Sequence, residues 1–204
     1  MQDNITNNTV SIMGKVASPF TFSHEVYGEG FYGFYVNVPR LSDVYDTIPI
    51  TISERLINMG TLLEGTNVHI EGQLRSYNSY VTNDKRNKLV LTIFTKEISI
   101  IQDIGKSPND VHLNGYICKS PVFRVTPFGR EITDILLAVN RSYNKSDYIP
   151  CISWGRNARY ISTMEIGENI KIYGRMQSRI YQKKLDTGDT IEKTAYEVSI
   201  SKIE

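Results

Sequence analysis

The stretch YIPCISWGRNARYISTMEIGENIKIYGRMQSRIY, residues 148–181, carries the clearest structural pattern in this chain of 204 residues. It predicts a β-strand, a short helix, a turn at Gly167 and a second strand over Ile170–Tyr181. Side chains alternate along that second strand, so a β-strand sends them to two opposite faces. One face is apolar and predicts a core: Ile170, Ile172, Met176 and Ile180. The other face is polar, with aromatic and cationic side chains: Lys171, Tyr173, Arg175, Gln177, Arg179 and Tyr181.

The earlier strand of this stretch also separates aromatic from core positions. By the same alternation Tyr148 and Trp154 share one face, while Ile149 and Cys151 point the opposite way. Aromatic rings beside guanidinium groups suit single-stranded nucleic acid, because unpaired bases stack on flat side chains and phosphates attract cations. The stretch therefore predicts a surface that binds single strands.

The pattern recurs in the first part of the chain. Three pairs of residues are separated by 101 positions: Gly14 and Gly115, Arg40 and Arg141, Pro49 and Pro150. Two further pairs are separated by 102 positions: Gly65 and Gly167, Gly72 and Gly174. The sequence thus predicts a tandem repeat of one module. We expect an N-terminal domain over residues 1–101, a linker over 102–110 and a C-terminal domain over 111–204.

Each module has the same predicted outline of five strands, with a short helix between the third and the fourth. The second strands are predicted at Phe31–Val38 and Ile132–Asn140, the third strands at Ile48–Ile52 and Ile149–Trp154, and the helices at Glu54–Leu62 and Asn157–Met164. Long charged loops over 78–88 and 182–193 are predicted to join the fourth and fifth strands. This order is typical of the OB fold, so the predicted class is all-β, with two tandem five-stranded OB-fold barrels.

Three segments of the C-terminal module resemble the bacterial single-stranded-DNA-binding protein family. They are VHLNGYICKSPVFRVTPFGREITDILLAVNRSY at residues 111–143, IPCISWGRNARYI at 149–161 and GENIKIYGRMQSRIY at 167–181. The resemblance is collinear over Val111–Glu204, about half of the chain. It implies an OB fold and sequence-independent binding of single-stranded DNA, which protects the DNA in replication, recombination or repair.

The resemblance also implies roles for individual residues. Family members stack bases on aromatic side chains at the positions of Tyr143, Tyr148, Trp154 and Tyr181. They place cations that contact phosphates at the positions of Arg156, Arg175 and Arg179. Tyr173 joins this set because it shares the outward face of its strand with Arg175. For each cation, an ordinary surface charge is the alternative.

The N-terminal module departs from this pattern. Ser42, Thr47 and Ser53 occupy the positions of Tyr143, Tyr148 and Trp154, so most of the stacking residues are absent. Weak binding stays open, because the fourth strand of this module ends in three suitable side chains: Arg75, Tyr77 and Tyr80. The second strand is rich in aromatic residues, Phe31, Tyr32, Phe34 and Tyr35, and is a candidate for a protein–protein contact.

The charge of the chain is distributed unevenly. The formal net charge is +1, but residues 1–101 sum to −2 and residues 102–204 to +3. Positive charge is therefore concentrated in the module with the aromatic strand. For contact with phosphates, this local density matters more than the total.

The sequence predicts no enzyme, metal site or cofactor. Cys118 and Cys151 lack metal-ligand spacing, and no nucleophile–base order or phosphate-binding loop is present. The triplet Asp186-Thr187-Gly188 occurs once, in a charged segment that favours a β-turn. No apolar run approaches the roughly 20 residues of a membrane span, and the first residues do not resemble a signal peptide, so we expect a cytoplasmic protein.

Predicted partners follow from the resemblance. Family members with two OB folds per chain typically form dimers, so we expect a homodimer with four OB folds; a self-contained monomer is the alternative. Replication proteins are candidate partners, although the chain ends at SISKIE directly after the last predicted strand and we expect no recruitment through an acidic tail. Two other functions stay open: a primosome-like adaptor that binds nucleic acid weakly, and RNA binding, because stacking tolerates either sugar.

Overall fold

The part of the chain that the structure, a computed structural model, describes contains twelve β-strands. The structure describes residues 7–42, 44–57, 62–80, 87–106, 108–184, 188 and 190–204, so Tyr80's side chain and the Asp186-Thr187 pair lie outside what is described. The strands of the first half are β1 (Asn8–Val16), β2 (Thr21–Val26), β3 (Glu29–Pro39), β4 (Tyr45–Ser53), β5 (Asn67–Tyr80) and β6 (Asn87–Ile100). Those of the second half are β7 (Asn109–Ile117), β8 (Val122–Val125), β9 (Glu131–Arg141), β10 (Lys145–Trp154), β11 (Asn169–Lys184) and β12 (Thr190–Ile203).

Five strands in each half form a closed ring. In the first half the hydrogen-bonded neighbours run β1–β3–β4–β6–β5 and back to β1, with β4 and β6 parallel. In the second half the order is β7–β9–β10–β12–β11 and back to β7, with β10 and β12 parallel. This is the five-stranded Greek-key barrel of an OB fold, so the predicted all-β class is confirmed.

Each ring carries one short strand that the sequence did not predict. β2 and β8 pair only with the outer edges of β3 and β9 among the described strands, and every side chain in them is exposed. A strand without a buried face has no apolar alternation, so pattern reasoning missed both. Pro19 and Pro121 come between these strands and β1 or β7, because proline cannot donate a backbone hydrogen bond to the ladder.

The two helices differ from their predicted bounds. Helix α1 spans Gly155–Ile161, begins two residues before the predicted helix and buries Ala158 and Ile161. The first half has only a 3-10 helix, Glu54–Leu56, where a longer helix to Leu62 was predicted; residues 58–61 of that prediction lie outside the described part. No helix in the described ranges is long and apolar enough to cross a membrane.

The cores contain the alternating aliphatic side chains that the sequence pattern indicated. Ile70 and Leu74 of β5 and their counterparts Ile172 and Met176 of β11 are fully buried. Gly174 permits the close approach of β11 to β12, since a Cβ there would clash with the carbonyl oxygen of Ser199. The strand pairing shifts by one residue at this point, as it does at Gly72 in the first half.

Beyond the rings, each β-hairpin continues as an arm. Arg175–Lys184 of β11 pairs with β12 alone, and Ser76–Tyr80 of β5 pairs with β6 alone; we call these hairpin ends the second arm and the first arm. The predicted core position Ile180 is wrong, because it lies on the second arm and is 68% exposed. The arms also extend into the predicted loops at residues 78–88 and 182–193, which are therefore partly strand.

A pair of strands joins the halves. β1 and β7 pair antiparallel from Asn8 opposite Leu113 to Ile12 opposite Asn109, centred on the pair Val10 and Val111. Both valines are buried, so the two rings share a continuous apolar seam. β7 begins at Asn109, so the last two residues of the predicted linker belong to this strand. The division into separate domains stays a prediction.

Candidate nucleic-acid interface

Two aromatic side chains lie on the outward face of β10. Tyr148 and Trp154 are 46% and 40% exposed, and the intervening Ile149 and Cys151 are buried, as the alternation predicted. Burial raises the pKa of the Cys151 thiol, which keeps it an inert core side chain. The indole Nε1 of Trp154 donates a hydrogen bond to Ser199 Oγ at 3.3 Å, so the ring is held in position while part of it stays accessible.

Tyr143 projects from the turn between β9 and β10. It is 90% exposed and has a φ of 63°, and Asn144 follows with a φ of 53°. Two consecutive positive φ angles match a tight hairpin turn of type I′, which usually contains glycine or asparagine. A tyrosine is strained in this conformation. Stability alone therefore does not explain the residue, and an exposed ring at the hairpin tip suits binding.

Arg156 follows Trp154 closely in the chain. Gly155 has a φ of 55°, which turns the chain sharply from β10 into α1. Arg156 is exposed in the first turn of that helix. A cation there is not stabilised by the helix dipole, so its placement favours a role outside the fold.

Arg179 and Tyr181 lie together on the second arm. The guanidinium carbon of Arg179 is 6.0 Å from the centre of the Tyr181 ring, and its Nε is 3.6 Å from a carboxylate oxygen of Glu197. This cation–π contact lies on the exposed face of the arm. The arm extends away from its own ring, so the structure does not bring Tyr181 together with Tyr148 and Trp154 on one strand surface.

The second half of the chain matches a known protein family. The sequence model of the single-strand binding protein family matches residues 108–204. Single-stranded DNA-binding protein A of Bacillus subtilis is 32% identical over 83 residues, which are 37% of this chain and 48% of that protein. Single-stranded DNA-binding protein B of the same organism is 31% identical over 83 residues, 37% of this chain and 74% of that protein.

The chain belongs to the single-strand binding protein family. It spans about half the length of most of the curated relatives it matches, protein A among them. The crystal structure of wild-type single-stranded DNA binding protein from Thermus aquaticus is similar over 97% of this chain and 91% of that chain, with a TM-score of 0.74 and 20% identity. At that identity the likeness shows the fold alone, and it extends over both halves.

Two of the predicted site residues, Tyr173 and Arg175, have different surroundings from the other six. The ring of Tyr173 stacks on His112 with centroids 4.7 Å apart, and Lys202 Nζ lies 5.0 Å from the same ring. Both contacts compete with a base for the ring. Arg175 is half-buried and lines a cavity of about 350 Å³ with Arg40 and Lys106. Arg175 also pairs across β12 with Ser199, the residue that accepts the hydrogen bond of Trp154 Nε1.

In the first half, the positions of the missing aromatic residues have structural roles. Thr47 Oγ1 donates a hydrogen bond to Asn37 Oδ1 at 2.8 Å. Ser53 is buried, donates to Glu29 and accepts a hydrogen bond from the backbone N–H of Arg55, which caps the 3-10 helix. At these two positions β4 therefore has hydrogen-bonded polar side chains, although Tyr45 of the same strand is exposed.

Each arm is attached to the opposite half by a buried aspartate, a feature that sequence reasoning missed. Asp46 Oδ1 accepts hydrogen bonds from the backbone N–H and the hydroxyl of Ser178, at 2.7 and 3.1 Å. Asp147 Oδ1 accepts from the backbone N–H of Ser76 at 2.8 Å. The repeat contained a signal, because both aspartates and both serines recur at the same offsets as the glycines.

Arginines neutralise both aspartates. Burial raises the pKa of Asp46, but the hydrogen bonds from Arg40 and Ser178 outweigh burial and hold that pKa below its ordinary value. Arg75 NH1 donates to Asp147 Oδ2 at 2.9 Å, and Arg141 NH1 lies 3.7 Å from Asp147 Oδ1. One carboxylate thus faces two guanidinium groups immediately before Tyr148, which leaves the start of β10 with net positive charge.

One residue of the aromatic strand β3 lies near the second arm. Burial raises the pKa of Tyr196, a residue of β12, to about 12, and the neighbouring Tyr35 adds to the effect. Tyr35 therefore lies near a residue of the other half. Tyr32 packs edge-on against Phe22 with ring centroids 5.7 Å apart. The predicted contact of this strand with another protein stays a prediction.

Proposed function

We propose that this protein binds single-stranded DNA without sequence preference, by stacking bases on exposed aromatic rings and contacting phosphates with arginines. The observation that carries the proposal is the outward face of β10, where Tyr148 and Trp154 are exposed beside a positively charged strand start in a member of the single-strand binding protein family. Each stacked base contributes roughly 1–3 kcal/mol. A few such rings supply useful affinity without reading the bases.

Individual roles follow from the surroundings of each residue. Tyr143, Tyr148, Trp154 and Tyr181 stack bases, and Tyr173 does so only if a base displaces Lys202. Arg156, Arg175 and Arg179 contact phosphates. The protein makes and breaks no bond in this role; it covers strands exposed during replication, recombination or repair.

The proposed assembly is a homodimer. Each chain contains two rings, so a dimer presents four, the number implied by the resemblance. Light scattering of the full chain, alone and with oligo-dT, measures the mass. A mass of one chain under both conditions would exclude the dimer. If β3 forms the contact between copies, Tyr32→Ser lowers the measured mass.

A fluorescence titration tests the proposed function. Trp154 is the only tryptophan, so its emission reports directly on β10. We expect quenching by oligo-dT, weaker binding as salt rises with a slope of roughly −0.7 per neutralised phosphate, and little competition from duplex. Absence of both quenching and retention of oligo-dT would contradict the proposal and favour the adaptor. Tighter binding of matched oligo-U would indicate RNA.

A further inference from the structure

The first arm contacts the aromatic face of the second half directly. The hydroxyl of Ser76 accepts a hydrogen bond from the backbone N–H of Tyr148 at 2.7 Å, and the Ser76 N–H donates to Asp147. The residue after Ser76 is Tyr77, which is 54% exposed. Bond lengths along this path place the Cα atoms of Tyr77 and Tyr148 within about 11 Å of each other.

Tyr77 shares one face of β5 with Arg75, whose side chain reaches the start of β10. Arg75 and Tyr77 are two residues apart on β5, so their side chains leave the same face of the strand. The guanidinium of Arg75 reaches Asp147 Oδ2 at 2.9 Å. Tyr77 therefore leaves the face from which Arg75 reaches Asp147, while Ser76, which bonds the N–H of Tyr148, leaves the opposite face.

The charges of this junction favour a polyanion. Arg75 and Arg141 both contact Asp147, so two cations face one buried carboxylate. The described residues of the first arm, 76–80 and 87–92, contain no acidic side chain. The second arm differs, because Glu197 pairs with Arg179 next to Tyr181.

We propose that Tyr77 and Tyr148 form one composite stacking site for single-stranded nucleic acid across the two halves, with Arg75 beside it. The inference rests on the proposed function and deepens it. Stacked nucleotides rise about 3.4 Å each, so a separation of at most about 11 Å spans no more than roughly three such steps. A strand on β10 thus continues onto the first half, whose third strand has Thr47 and Ser53 at the positions of Tyr148 and Trp154.

A tryptophan reporter at position 77 tests the site in the full chain. In a Trp154→Phe background, Tyr77→Trp supplies the only tryptophan, and Tyr27→Trp is the matched control. Tyr27 lies at the turn between β2 and β3, is fully exposed and has no described contact with the second half. With binding followed by the anisotropy of labelled oligo-dT, we expect quenching at position 77 and none at position 27.

Affinity supplies the second readout. Tyr77→Ala should weaken binding of oligo-dT about fivefold or more, which corresponds to roughly 1 kcal/mol, while Tyr27→Ala should bind as the wild type does. Oligo-dT that binds with an unquenched Trp at position 77 and unchanged affinity for Tyr77→Ala would overturn the composite site and leave the proposed function intact. Failure of the wild-type chain to bind any single strand would overturn both.

Discussion

The two halves of the chain build the same ring of strands but present different third strands. In the second half β10 exposes Tyr148 and Trp154; in the first half β4 has Thr47 and Ser53 at those places, both engaged in hydrogen bonds. The register is the same, since Thr47 pairs with Asn37 where Tyr148 pairs with Ala138. The comparison shows that the apolar pattern specifies the ring of strands, while a few outward side chains distinguish the face proposed to bind from a hydrogen-bonded one.

Removing the aromatic side chains of β10 should have the largest effect on binding of single-stranded DNA. We expect the double variant Tyr148→Ala with Trp154→Ala to weaken binding of oligo-dT by roughly 2–6 kcal/mol, from two stacked bases at 1–3 kcal/mol each. Anisotropy of labelled oligo-dT measures the loss, and circular dichroism checks the fold. Thr47→Ala is the matched control in the first half and should bind as the wild type does. An equal loss in both variants would remove the distinction between the halves.

The two buried aspartates should contribute different amounts to the free energy of unfolding. Asp46→Ala should lower the free energy of unfolding by roughly 2–4 kcal/mol, because a partly buried ion pair and the hydrogen bonds from Ser178 are lost together. Asp147→Ala should cost less, since Arg141 is 3.7 Å from its carboxylate whereas Arg40 binds Asp46 through two nitrogens. Urea unfolding of both variants gives the order. A larger loss for Asp147→Ala would show that Arg75 contributes more than the bond geometry indicates.

Much of the ring could be predicted from sequence because it depends on periodic burial. Ile172 and Met176 are buried where alternation placed them, and the recurring Gly72 and Gly174 lie at equivalent close approaches between strands. The same alternation failed at Ile180, because the pattern does not show where neighbouring strands end and an arm begins. It also missed β2 and β8, which bury no side chain.

The candidate site was also only partly predictable from the sequence. The exposed face of β10 follows from parity, so Tyr148 and Trp154 were predictable. The attachment of Ser178 to Asp46 was not, because a repeat shows which residues are equivalent and gives no sign that partners come from opposite halves. For the same reason the position of Tyr77 beside Tyr148 required the structure.

The lowered pKa of Asp46 predicts an acid-sensitive link between the halves. Its folded-state pKa lies below the ordinary value of about 3.9, so the ionised carboxylate stabilises the fold above that pH. This stabilisation is lost as the pH falls through the folded-state pKa. Urea midpoints of the wild type should therefore fall below about pH 4 more steeply than those of Asp46→Asn. Parallel curves for the two proteins would assign the acid sensitivity to other carboxylates.

Adding one aromatic side chain to β4 in the first half should have the smallest effect on binding. Thr47→Tyr places an aromatic side chain at the position of Tyr148, with the loss of the bond to Asn37 as its cost. Thr47→Leu loses the same bond without gaining a ring, so it is the matched control. If the strand path crosses β4, Thr47→Tyr should bind oligo-dT more tightly than Thr47→Leu by about 1 kcal/mol, the lower end for one stacked base. Equal affinities would show that the bound DNA strand does not cross β4. The first half would then contact the DNA through the first arm alone.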